Sequence, residues 1–453
     1  MIELSVEQIA DAVGGSVYGD RTVMVSSVST DSRSTDTNTL FVALKGERFD
    51  GNDFLASIDG TVGCAISSRR AEVSYPLIIV EDTLEALTAL ARYYFKHIID
   101  TDITVSLTGS VGKTTTKEMT ACVLSQKYNT AYTRGNFNNH IGVPLTVLSV
   151  EKENRALVCE MGMNHKGELL HLSSIVDSDV AMITNIGHSH IENLGSREGI
   201  RDAKLEILSG LKKDGTLIIN GDEPLLEGHG FGGRVIRVGL TDGCDLWADD
   251  IEVGEDGVEY TLRLSDTDDS FPIKLSCTGH HNVVNSLFAI AVGRIADMKL
   301  EDIQKGLLSY APTGLRQNIY FKNGIRVIAD CYNAGIESMN ASLRVLSELS
   351  CKGKRIAVLS DMLELGEISD KAHTDIGESV AECGIDMLFT VGSASKFMHE
   401  KARSMGVDAH HFDTKKQLAD QLKATLSEGD SVLFKASHSM KLEEVITMTD
   451  LEK

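Results

Sequence analysis

The chain has 453 residues, 42% of them hydrophobic, and a formal net charge of −22. That length exceeds one compact core and suits roughly two to four domains. The acidic surface repels polyanions and anionic membranes, so nucleic acid is excluded as a partner. No apolar run reaches the ~18 residues of a membrane span, and Met1-Ile-Glu-Leu-Ser-Val-Glu7 lacks the character of a secretory leader. Stable membrane insertion is therefore not expected. Eight scattered cysteines with no C-x-x-C pair point to reduced thiols in the cytoplasm, against both disulfides and a zinc site.

Three blocks follow in chain order: residues 1–100, 101–313 and 314–453. The first holds short strands at Thr39–Leu44 and Pro76–Val80, then a helix from Thr83 to Ile98. The second alternates helices with strands at Ala156–Glu160, Val180–Thr184 and Thr216–Asn220, which implies a parallel sheet. A polar, alternating stretch from Asp249 to Leu275 predicts hairpins inserted in that sheet or flanking it. The third restarts the α/β pattern with strands at Arg326–Ala329, Arg355–Leu359, Met387–Val391 and Ser431–Phe434. Only the second block opens on a phosphate-type loop, so the working cleft is expected between blocks two and three.

That loop is Thr108-Gly109-Ser110-Val111-Gly112-Lys113-Thr114-Thr115, between an apolar strand and a helix carrying Met119, Cys122 and Val123. Glycines let backbone N–H groups approach anionic oxygens, and the new helix adds its positive end. Lys113 would neutralise terminal phosphates, and the Thr114 hydroxyl can ligate magnesium. Leu107 stands where the standard eight-residue P-loop begins with glycine; the alternative is a structural glycine turn.

Other polar residues fall at strand ends, where open parallel sheets bind ligands. Glu160 closes one strand and is either a magnesium ligand or a solvated, helix-capping glutamate. His190, after Asn185-Ile-Gly-His188-Ser, is either a metal ligand or a hydrogen-bonded loop residue; oxygen-rich surroundings favour magnesium over zinc. Lys204 lies within the apolar stripe Ile200, Ala203, Ile207, Leu208, Leu211 of a helix expected over 198–211. Burial there lowers its pKa and frees the amine, for instance to take up carbon dioxide as a carbamate; the alternative is a lysine that snorkels out or pairs with a carboxylate. Asn136, Asn138 and Asn139 form a glycine-bounded loop suited to phosphate, amide or sugar hydroxyls, or simply a turn. Gly279-His280-His281-Asn282 starts an apolar helix, where Asn282 reads simply as an N-cap. Arg316, just past the inferred hinge, is a phosphate clamp or a surface arginine.

Together with Glu160-Met-Gly-Met-Asn-His165 and Gly279-His-His-Asn282, these motifs resemble the Mur ligase family along the whole chain, in order. The resemblance implies a small α/β N-terminal UDP-substrate domain, a central P-loop ATPase-like domain with a parallel sheet, and a C-terminal Rossmann-like domain. It implies ATP, two magnesium ions and amide formation through an acyl phosphate. By the same match, the loop 108–115, Asn282, Arg316, Asp330 and Asn333 serve ATP, while Thr114, Glu160, His190 and a carbamylated Lys204 hold metal. Catalysis falls to Lys113, Glu160, His190, Lys204 and Arg316. Ser32, Arg33, Asn136, Asn138, Asn139, Asp361 and Lys435 fall to the other substrates.

Ser29–Arg33, Leu40–Leu44, Asp330–Ala334 and Ser360–Gly366 point, within the family, to joining D-alanyl-D-alanine to a UDP-N-acetylmuramoyl tripeptide, with the enzyme a monomer. Two departures fall in the third block: Gly335-Ile336 where the family shows Asn-Pro, and Ala436 and His438 within its usual Lys-Gly-Ser-Arg. The rival readings are the family member that adds a diamino acid, a P-loop hydrolase acting without a second substrate, and a paralogue that binds without efficient catalysis.

Overall fold

The strand patterns resolve into three large sheets in the computed structural model, which describes residues 1–312 and 314–453. Thr313, at the expected boundary between blocks two and three, lies outside the described residues. The first sheet runs in the order Ser16–Tyr18, Leu77–Ile79, Cys64–Ser67, Thr39–Val42, Ser27–Ser29, parallel except for its first pair. Behind it lies the helix Thr83–His97. It begins where the Asp82 carboxylate accepts from Leu84 and Glu85 N–H, and it ends with Lys96 and His97 at its negative pole. Buried Tyr94 on this helix donates its hydroxyl to Val150 O at 2.6 Å, tying the first sheet's layer to the second block.

Nine strands make the second sheet, with Ile103–Thr108 between Ala156–Glu160 and Ser178–Ile183, all parallel. Alternation along these strands buries both faces. Val105 and Leu107 pack with Met119 and Val123, while Leu157, Cys159 and Ile183 pack with Val143, Leu172 and Ile200. The expected hairpins flank the sheet: Leu246–Gly254, Gly257–Leu264 and Ser270–Leu275 form its antiparallel edge. The third sheet, six-stranded, runs Asn318–Lys322, Ile325–Asp330, Ser431–Lys435, Arg355–Ser360, Met387–Val391, Asp408–Phe412 and is parallel beyond its first pair.

Two local expectations need correction. The helix predicted over 198–211 ends early: Arg197–Leu205 is α-helical, Glu206–Gly210 tightens into a 3-10 turn, and Leu211 begins the strand Leu211–Asn220. Glu206 drives the change, because its carboxylate accepts from Gly167 N–H at 2.8 Å and Leu170 N–H at 3.3 Å, capping the neighbouring helix Glu168–Ser173. Asn282 is not an N-cap. The helix His280–Ile295 opens at Gly279, and the Asn282 amide instead donates back to Thr278 O at 2.8 Å. Among the described residues, no helix is long and apolar enough to cross a membrane.

Candidate active site

The carboxyl ends of the second and third sheets face one cavity of about 900 Å³. The loop after Ile103–Thr108 forms its floor. Gly112 sits at φ 81° as the cap of the helix Lys113–Leu124, and a Cβ there would stand 2.5 Å from Asn285 Oδ1. Both facts demand glycine. Gly112→Ala is expected to cost about 1–2 kcal/mol from the left-handed backbone alone, measured by urea denaturation. Asn185 Oδ1 accepts from Ser110 N–H at 2.9 Å and Val111 N–H at 3.0 Å, holding the loop in shape. The Lys113 ammonium lies over Gly109 O at 2.6 Å and Ser110 O at 3.3 Å. Burial pushes its pKa down, Arg316 adds to that, and Glu160 opposes it.

Glu160 is the anionic centre of the floor and is 1% exposed. Its Oε1 accepts from Asn138 Nδ2 at 2.8 Å and Thr114 Oγ1 at 3.3 Å. Its Oε2 has no hydrogen-bond partner, although Lys117 Nζ lies 3.5 Å away. Lys117, fully buried, also donates to Gly135 O at 3.2 Å. An orphaned carboxylate oxygen beside a threonine hydroxyl suits a hard divalent cation, which prefers oxygen ligands. His190, at φ 65°, turns its ring toward the same region, with Nδ1 2.6 Å from Glu364 Oε2 of the third block. Burial lowers the His190 pKa against the pull of Glu364.

Lys204 is buried at 2% exposure with no hydrogen bond or ion pair among the described residues. Burial, then repulsion by Lys113, drives its pKa well below the ordinary lysine value. Among the described residues, no three His, Cys, Asp or Glu side chains converge as a metal site. Glu160 and His190 thus lack a third acidic or imidazole partner, and Lys204 lies close enough to His190 for its charge to help push the imidazole pKa down.

The third block supplies the roof. Lys435 pairs with Asp330 Oδ2 at 2.6 Å and donates to Asn333 O at 3.1 Å, while Asp330 also accepts from Ser342 Oγ at 2.7 Å and Gln317 N–H at 3.2 Å. Gln317 bridges across, its Oε1 3.2 Å from Asn282 Nδ2 and 2.9 Å from His281 Nε2. The Arg316 guanidinium lies 3.6 Å over the Tyr332 ring. Arg316, Asp330, Asn333 and Lys435 therefore line the same cavity as Ser110–Thr115, Asn136, Asn138, Asn139, Glu160, His190 and Asn282.

Six residues singled out from the sequence lie elsewhere or behind the lining, the buried Lys204 among them. Thr108 and Gly109 support the loop from beneath: a Cβ on Gly109 would overlap Thr184 Oγ1. Ser32 and Arg33 belong to the first sheet's rim, and Arg33 forms a two-point pair with Asp31, whose pKa its hydrogen bonds pull down to about 2. Asp361 is not brought to the cavity. Its buried carboxylate accepts from Ser393, Ala394 and Ser395 N–H at 3.0, 3.1 and 2.7 Å, fixing the start of the helix Ser395–Ser404. Sequence reading missed Asn185, Lys117, Gln317, Glu337 and Glu364. Only Lys117, one helical turn beyond Lys113, carried a signal.

Residues 107–293 match the Mur ligase middle domain, and residues 316–438 match the Mur ligase, glutamate ligase domain. A UDP-N-acetylmuramoyl-tripeptide--D-alanyl-D-alanine ligase of Bacillus subtilis (strain 168) is 40% identical over 455 residues, covering 98% of both chains. A crystal structure of MurF from Acinetobacter baumannii superposes with a TM-score of 0.90 at 31% identity, covering 99% of both chains. MurF ligase from Thermotoga maritima in complex with ADP gives 0.83 at 30% identity, covering 94% of this chain and 97% of that one. With both domains matched in order around one shared cavity, the chain belongs to the Mur ligase family.

Proposed function

We propose that this protein is an ATP-dependent amide ligase that adds D-alanyl-D-alanine to UDP-N-acetylmuramoyl tripeptide, releasing ADP and phosphate. The observation that carries the reading is the single cavity in which Lys113, Glu160 and the orphaned Oε2 of the floor meet Arg316 and Asp330 of the roof. Residues 1–100 form the UDP-substrate domain, 101–313 the ATP domain and 314–453 the domain that closes over it. The enzyme works as a cytoplasmic monomer.

A carboxylate does not react with an amine, because oxide is too poor a leaving group. Transfer of the γ-phosphoryl of ATP to the tripeptide carboxylate replaces that leaving group with phosphate. Two anions must meet in line, so catalysis is positioning plus charge stabilisation. The N–H groups at the start of the helix Lys113–Leu124 and the Lys113 ammonium grip the β- and γ-phosphates, and Arg316 clamps them from the roof. Thr114, Glu160, His190 and a carbamate on Lys204 would hold two magnesium ions, which supply further neutralisation of the transferring group. Asn138 keeps Glu160 turned into the site. Asn136 and Asn139 bind the muramoyl peptide, with Ser32 and Arg33 toward its nucleotide end, and Asp330 and Asn333 hold the nucleotide. The roof excludes water while the amine attacks and phosphate leaves.

The test incubates the protein with ATP, magnesium and UDP-N-acetylmuramoyl tripeptide, with and without D-alanyl-D-alanine. Phosphate release that needs both substrates, with a product heavier by the dipeptide, supports the ligase. Release with neither substrate indicates a hydrolase, and a product formed only with a diamino acid on a shorter peptide indicates the family's other ligase.

A further inference from the structure

The helix Ile336–Glu348 meets the second block at both ends: Glu348 pairs with His280 Nε2 at 3.3 Å, and Glu337, in its first turn, rests on the Gly187–His188 turn. Glu337 Oε1 accepts from the His188 backbone N–H at 3.0 Å and lies 2.6 Å from His188 Nδ1. A Cβ on Gly187 would stand 2.6 Å from the Glu337 carboxyl carbon, so only glycine lets the carboxylate rest on this turn. Gly187 N–H in turn donates to Ser110 Oγ at 2.9 Å, within the phosphate loop. A continuous run of contacts therefore joins the third block's helix to Ser110. Glu337 Oε2 is buried without a hydrogen-bond partner, a cost that the helix N-terminus and the His188 contacts offset. Burial raises the Glu337 pKa, but the His188 hydrogen bonds outweigh it and hold the carboxyl below its usual range. A second strut lies alongside, where Glu192 N–H donates to Glu364 O at 3.4 Å.

We infer that Glu337 is a positioning residue that locks the third block onto the phosphate loop through Gly187 and His188, keeping water from the activated acyl group. The inference rests on the ligase reading above. Glu337 acts through the turn it grips and touches no reacting atom. When the lock fails, water competes with the amine. The water oxygen bonds to the acyl carbon, the carbon–oxygen bond to phosphate breaks, and one ATP is spent to regenerate the free carboxylate.

The experiment measures ADP formed per amide formed at saturating substrates, for the parent, E337A and E337Q. The parent ratio is expected near one. E337A should raise it to about three or more as the shielded intermediate leaks to water. E337Q keeps an acceptor for the His188 N–H and should fall between. Melting temperatures accompany each variant, because loss of a purely structural contact would lower stability and slow turnover while leaving the ratio at one. If E337A does not fold, E337Q decides alone. A ratio near one in a folded E337Q or E337A overturns the lock. A parent that makes no amide overturns the ligase reading instead.

Discussion

Lys204→Ala is expected to lower kcat about 10³-fold, the size typical of losing a preorganised charge-stabilising group. Acetate or propionate added at high concentration restores part of the rate, because a small carboxylate can occupy the space of a carbamate. A variant that retains the parent's kcat would contradict the carbamate. Stability moves the other way. In metal-free, bicarbonate-free buffer, Lys204→Met melts above the parent at pH 7, because it removes a buried amine with no partner among the described residues. The sign follows from proton counting. The folded-state pKa is depressed, so between that value and the ordinary 10.5 the unfolded chain holds more protons. The parent is therefore penalised at low pH and gains stability as pH rises through that window. The melting difference between variant and parent shrinks as pH approaches 10.5.

Lys113→Met is the second large effect. Its ammonium rests on two backbone carbonyls of the loop, poised over the space a phosphate would fill. Removing it takes away a cation that acts most strongly when charge is transferred, so kcat should fall by about 10²–10³. Folding stability should not drop, since burial already disfavours this charge in the empty site. Steady-state kinetics with thermal melting checks both halves. An active variant, or an inactive one that is also unfolded, would contradict the role.

The chemistry nearest the strands was legible because each part is local. Gly109, Gly112, Lys113 and Thr114 are contiguous, Glu160 ends an apolar run, and Lys204 interrupts an apolar stripe. The roof was less legible. On the floor, the spacing of Lys117 one turn beyond Lys113 hints at the site, but its role shows only when Glu160, from another strand, is seen 3.5 Å away. Glu337 and Glu364 acquire meaning only when the third block docks on His188 and His190. Asp361 misled for the opposite reason. It follows a strand end as a ligand-binding carboxylate would, yet three N–H groups of a neighbouring segment claim it. The premature end of the helix at Leu205 was equally hidden, since the Glu206 contacts that impose it come from residues 167–170.

The most direct measurement follows oxygen. UDP-N-acetylmuramoyl tripeptide carrying ¹⁸O in its terminal carboxylate is turned over with ATP, magnesium and D-alanyl-D-alanine, and the released phosphate is weighed by mass spectrometry. Activation through an acyl phosphate places one labelled oxygen in each phosphate released with product. Phosphate free of label, alongside amide formation, would contradict the account.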